Sequence, residues 1–194
     1  LEKSRKPLIL AGGGLRSAQV VAEFRKMLTS LHIPVVNSLM CVDALEYRSP
    51  LRVGMIGSYG NRWANKALGE SDLLVVLGSR LDVRQTGSDK EYLTKNRVVW
   101  HVDCDKEEIN SQVKGCRPIV AHLSSFIGRM SELVKQYDFD QTKWQDWADE
   151  IVSYKTKWPD TAELNDITGI NPNAFFHRLS DFSGAAAVFV ADVG

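Results

Sequence analysis

The stretch Pro7-Leu8-Ile9-Leu10-Ala11-Gly12-Gly13-Gly14 decides the fold class. Its first five residues carry no charge and read as a short apolar strand, and the three glycines read as the turn that leads into a helix. Beyond the turn, Val20, Val21, Phe24, Met27, Leu28 and Leu31 recur at the i, i+3, i+4 and i+7 spacing of one helix face. Ile33 to Asn37 then gives a second strand, which completes a βαβ unit.

The same alternation continues along the chain. After a loop carrying Pro50 and Gly54, Asn61 to Leu68 reads as a helix and Asp72 to Leu77 as a continuous apolar strand. Asn96 to Val102 is another such strand, followed by a short helix near Lys106 to Asn110. Pro118 to Ala121 is a further short strand, and Leu123 to Tyr137 a helix with Phe126, Ile127, Met130, Leu133 and Val134 on one face. The pattern predicts an α/β domain over residues 1–137, a doubly wound, Rossmann-like parallel sheet with helices on both faces.

From residue 138 the composition changes. Trp144, Trp147, Ile151, Tyr154 and Trp158 form an aromatic stripe on a charged segment, which predicts a helix docking on the domain or on a neighbour. Pro172 opens another helix through Leu179, and Ala185 to Val190 reads as a strand. The chain starts at Leu1 without an initiator methionine and stops just after that apolar run, which reads as a piece of a longer protein.

Composition narrows the function classes. A chain of 194 residues can bury one sizeable core. The 24 basic and 24 acidic residues cancel, and the only basic cluster is the short Lys3 to Lys6 stretch, so neither nucleic acid nor a membrane is expected as partner. The longest apolar runs are of strand length, far below the roughly 18 residues of a spanning helix. Cys41, Cys104 and Cys116 lie at no metal or redox spacing, which predicts a reducing cytoplasm. His32, His101, His122 and His177 are scattered, and no metal site is expected.

Ligands of a doubly wound sheet sit at the carboxyl ends of its strands. After the first strand come Gly12, Gly13, Gly14 and Arg16, suited to a phosphate, or equally to a tight strand-to-helix turn. After Leu77 come Gly78, Arg80, Asp82, Arg84 and Gly87, where a carboxylate between two arginines suggests an anion clamp, or an internal salt-bridge network. Asp103, Cys104 and Asp105 follow the next strand; an acid there binds ribose hydroxyls or caps a helix. Together these strand ends describe a pocket for the ADP half of a dinucleotide-like cofactor.

With these residues in place, the sequence resembles the central domain of thiamine-diphosphate enzymes related to acetolactate synthase. The resemblance covers residues 5 to 135, and its most specific piece is Gly78-Ser79-Arg80-Leu81-Asp82-Val83-Arg84-Gln85-Thr86-Gly87 followed by Val99 to Ile109. Ile9 to Gly14, Ile33 to Met40, and Gly57-Ser58-Tyr59-Gly60 leading to Ala64-Asn65 support it. The fold it implies is the deoxyhypusine-synthase-like NAD/FAD-binding kind. It implies a domain that holds the ADP part of FAD, or another ADP-containing nucleotide, as a structural cofactor. By motif, the implied contacts are Gly13, Gly14 and Arg16 near phosphate; Ser38, Leu39 and Met40 along the flavin; Gly57, Tyr59 and Gly60; Gly78, Arg80, Asp82 and Arg84; and Asp103 with Cys104.

The chain departs from the flavin-binding pattern at Cys41 and Asp43, where glycines are usual, and at Tyr59, Val83, Gln85 and Ala121-His122. Side chains at Cys41, Asp43 and Tyr59 are expected to fill or repolarise the channel. The resemblance further implies that residues 138–184 are a helical linker and 185–194 the first strand of a following diphosphate-binding domain. Thiamine diphosphate, magnesium and the activating glutamate then belong to flanking domains of a homo-oligomeric parent that makes or breaks a C–C bond next to a keto group. No catalytic residue is assigned to this chain. A free-standing nucleotide-binding module and a purely structural domain with a vestigial cleft remain as alternatives.

Overall fold

The computed structural model describes residues 1–137, 140, 142–164, 166 and 168–190. They form two compact units, Leu1–Lys155 and Thr156–Gly194. In the first, six parallel strands form one sheet: β1 (Pro7–Ala11), β2 (Val35–Asn37), β3 (Arg52–Met55), β4 (Leu73–Leu77), β5 (Val98–Asp103) and β6 (Arg117–Val120). Their order is β3-β2-β1-β4-β5-β6, that of dinucleotide-binding doubly wound sheets. The predicted α/β Rossmann-like class is therefore correct.

The turn after β1 leads into a short helix, α1 (Gly14–Ser17), and then α2 (Val21–Leu31). The break between them is at Gln19, which takes a left-handed φ of 57°, so the helix does not run continuously from the glycine turn. Phe24, Met27, Leu28 and Leu31 of α2 are buried, as their spacing requires. From β1 the chain crosses to β2 in one direction, and from β3 through α3 (Arg62–Glu70) to β4 in the other. Right-handed crossovers in opposite directions place α2 and α3 on opposite faces. A four-residue helix, α4 (Val83–Thr86), follows β4, and α5 (Leu123–Gln136) follows β6 and packs beside α2.

Three local readings change. Residues 52–55, taken as loop, form edge strand β3; Gly54 and Arg52 obscure its alternation, and its register with β2 shifts between Val35 and Val36. Lys106 to Asn110 is a series of turns rather than a helix. The carboxylate of Asp103 accepts from the Asp105 amide and that of Asp105 from the Glu107 amide, so local side-chain bonds replace helical ones. Residues 185–190 pair with no strand, and Val188, Phe189 and Val190 are exposed; residues 191–194 lie outside the described residues.

Trp147, Ile151 and Tyr154 of the aromatic stripe lie in α6 (Gln145–Lys157), which belongs to the first unit as far as Lys155. Trp144 and Trp147 are buried and donate their indole N–H groups to the Ser4 and Pro7 carbonyls, each at 3.0 Å. Ile151 is buried beside them, and Glu150 pairs with Lys6 at 2.7 Å. The sheet core therefore extends to a helix beyond residue 137. In the second unit, α7 (Pro172–Phe182) starts with proline in its first turn, and the Asn171 side chain accepts from the Asn173 and Ala174 amides. No helix among the described residues is long and apolar enough to cross a membrane.

Candidate functional site

Strand β1 connects to the left and β4 to the right, so the switch point of the sheet lies between them. At its carboxyl end the two chains meet through glycine. The Gly12 amide donates to the Leu77 carbonyl at 2.9 Å and the Gly14 amide to the Gly78 carbonyl at 3.0 Å. Gly78 has φ +58°, and a Cβ on it would lie 2.8 Å from the Gly14 Cα. A Cβ on Gly12 would collide with the Gly78 carbonyl. Glycine is required here for close approach of two backbones, and two of the three turn amides are consumed by it. The Gly13 amide has no carbonyl partner among the described residues.

A crevice of about 120 Å³ opens at this point, lined by Gly14, Ser17, Ala18, Gly78, Asp103, Cys104, His122 and Leu123. Four sequence-predicted residues, Gly14, Gly78, Asp103 and Cys104, thus come together. Ser17, Ala18, His122 and Leu123 were not predicted; Ser17 and Ala18 end the short helix α1, and His122 and Leu123 open α5. His122 Nδ1 lies 2.8 Å from the Ser124 hydroxyl. Asp103 uses one carboxylate oxygen on the Asp105 amide, which leaves the other lone pairs toward the crevice rim.

The remaining predicted residues surround the crevice on three loops. Arg16 on α1 forms an ion pair with Asp43, whose charge thereby offsets the nearest cation. Ser38 is buried, with its amide bonded to the Ala11 carbonyl at 3.0 Å. Leu39 and Met40 are exposed, with Met40 packed over Gly13. Gly57, at φ +105°, approaches the Arg84 backbone, and the neighbouring Ser58 amide donates to the Arg84 carbonyl at 2.9 Å. Asn65 holds the same turn through bonds of 2.9 and 3.0 Å to the Gly57 amide and carbonyl. Gly60 turns back on the Met55 carbonyl, so a side chain has no room there.

The arginine set is not a clamp around Asp82. The Asp82 carboxylate caps α4, accepting from the Arg84 amide at 2.8 Å and from the Gln85 side chain at 2.9 Å. Gln85 in turn accepts from the Ser79 hydroxyl at 2.7 Å. Arg80 pairs with Glu108 at 3.3 Å, and no ion pair joins either arginine to Asp82 among the described residues. The internal Arg80–Asp82–Arg84 network is therefore absent, and Arg84 is exposed without a carboxylate partner among those residues. Two of the departures behave differently from expectation. Cys41 is fully buried in the core, where burial pushes its thiol up to about 11, and Tyr59 is 87% exposed. Neither fills the crevice.

The family described as thiamine pyrophosphate enzyme, central domain, matches residues 1–130. The chain belongs to this family. Across its whole length it is 34% identical to the acetolactate synthase large subunit of Lactococcus lactis, covering 33% of that protein. It is 31% identical over 198 residues to the acetolactate synthase large subunit of Cyanidium caldarium, and 30% identical over 189 residues to the probable acetolactate synthase large subunit of Methanococcus aeolicus. These alignments cover 100% and 92% of this chain, and 33% and 31% of the respective relatives. The chain spans about a third of the length of the curated relatives it matches.

One further side chain in β5, outside the strand-end set, is enclosed by the core. His101 is fully buried, and neither ring nitrogen has a hydrogen-bond partner. Burial lowers its pKa; the nearby Ser79 backbone, which falls short of bonding geometry, and the Asp103 and Glu108 carboxylates oppose this only in part. A neutral, core-packed imidazole follows.

Proposed function

We propose that the chain serves as the middle domain of an acetolactate synthase-like enzyme of the cytoplasm, where it holds FAD or another ADP-containing nucleotide and performs no catalysis itself. The observation that supports this reading is the crevice at the β1/β4 switch point, walled by Gly14, Gly78, Asp103 and Cys104. Its 120 Å³ is less than the roughly 300 Å³ of the smaller complete ligand pockets. Only the diphosphate–ribose part would enter it, beside the free Gly13 amide. The rest of the nucleotide would run over the exposed Leu39, Met40, Tyr59 and Val83, with Arg84 offering charge at the rim.

Thiamine diphosphate with magnesium supplies the chemistry that makes or breaks a C–C bond next to a keto group. Among the described residues, no three His, Cys, Asp or Glu side chains gather as a metal site, so the described residues do not fit that magnesium. The reading assigns it to flanking domains of the same protein, working as a homo-oligomer.

A purely structural role is the second reading. It is favoured by the internal use of the Gly12 and Gly14 amides and of the Asp82 carboxylate. Thermal unfolding of the 194-residue chain with millimolar FAD, ADP or NAD separates the two. The nucleotide reading expects FAD and ADP to raise the melting temperature and Arg84→Ala to reduce that rise. The absence of any shift supports the structural role.

A further inference from the structure

The α2/α5 face of the sheet is incompletely covered. A cavity of about 190 Å³ lies there, lined entirely by apolar side chains that include Ile9, Val75, Trp100, Ile119, Phe126 and Met130. Val75 belongs to a central strand, yet it, Trp100, Ile119, Phe126 and Met130 are only half-buried. In a closed doubly wound core such residues are covered, so apolar surface here is left to water. The cavity shares Leu73, Trp100 and Met130 with a wider groove of about 860 Å³ at the start of β4, β5 and β6.

The mouth carries a cation. Arg117, paired with Trp100 in the sheet register, holds its guanidinium 5.4 Å from the centre of the Trp100 indole. It has no carboxylate partner among the described residues. Lys3 also lines the groove, as do the acids Glu2 and Asp72. Asp72 is occupied, accepting from the Ser4 hydroxyl, the Arg5 amide and the Lys6 amide. The fixed, planar guanidinium suits a carboxylate, which it can grip with two parallel bonds.

We propose that this cavity binds a small apolar monocarboxylate, its hydrocarbon part between α5 and the sheet against Trp100 and Met130, and its carboxylate on Arg117. The site is separate from the nucleotide crevice and does not depend on it.

The test titrates the 194-residue chain with butanoate, hexanoate and hexanol, following methyl resonances of Ile9, Val75, Ile119 and Met130. Saturable shifts confined to these methyls are expected, with each added methylene tightening binding about four-fold until the cavity is full. Arg117→Gln should weaken hexanoate about ten-fold and leave hexanol unchanged, and Arg117→Lys should retain part of the hexanoate affinity. Arg117 is exposed on an edge strand, so both variants leave the core intact. No saturable shift at these methyls would overturn the proposal, as would hexanoate binding indifferent to Arg117→Gln.

Discussion

Gly14 and Gly78 face each other across the β1/β4 switch point so closely that a Cβ on either would lie 2.8 Å from the Cα of the other. This contact joins the two halves of the sheet at the place where the crevice opens. It also accounts for glycine at both positions without reference to a ligand.

Gly78→Ala should therefore destabilise the chain by about 2–4 kcal/mol, combining a left-handed residue with an overpacked contact. Gly128→Ala in α5, where a Cβ meets nothing within 4 Å, should instead stabilise it by about 0.5–1 kcal/mol. Urea unfolding midpoints of the two variants check the contrast.

Trp147 binds α6 to the first strand. Trp147→Ala should cost about 3–5 kcal/mol through the lost core volume, and Trp147→Phe about 1–2 kcal/mol by leaving the Pro7 carbonyl without its indole donor. A chain truncated after Tyr137 should melt well below the intact one. Equal stability of the truncated chain would show that the core ends before α6.

Stability should depend on pH through His101. Its folded pKa lies below its unfolded value of about 6.5, so the unfolded state takes up the proton first. Stability is fully present above that value and falls as pH drops below about 6.5. His101→Leu should remove this step. The remaining acid loss, at lower pH, comes from carboxylates such as Asp72. Burial raises its pKa, but bonds from the Ser4 hydroxyl and the Arg5 and Lys6 amides outweigh this and hold it below the usual range. Unfolding midpoints from pH 8 to pH 5 should diverge between the two proteins; parallel profiles would contradict the assignment.

The sheet was legible because its strands are continuous apolar runs such as Leu73 to Leu77, and because the glycine turn marks where the first helix must begin. β3 was not, since Arg52 and Gly54 leave too little alternation in four residues. Position at strand ends was enough to bring Gly14, Gly78, Asp103 and Cys104 into one crevice. The part played by Asp82 was hidden, because capping and ion pairing use the same carboxylate and only the backbone path of α4 distinguishes them. His101 was hidden for a similar reason: nothing in Val99-Trp100-His101-Val102 tells on which face of the strand the imidazole is enclosed.

Cys104 offers the most direct test of the nucleotide reading, because it lines the crevice and is exposed, whereas Cys41 and Cys116 are buried with thiols pushed up to about 11. In the native chain a thiol reagent should modify Cys104 alone, at a rate measured with and without FAD or ADP. The account predicts that saturating nucleotide slows this modification at least several-fold. An unchanged rate in saturating FAD and ADP would contradict it.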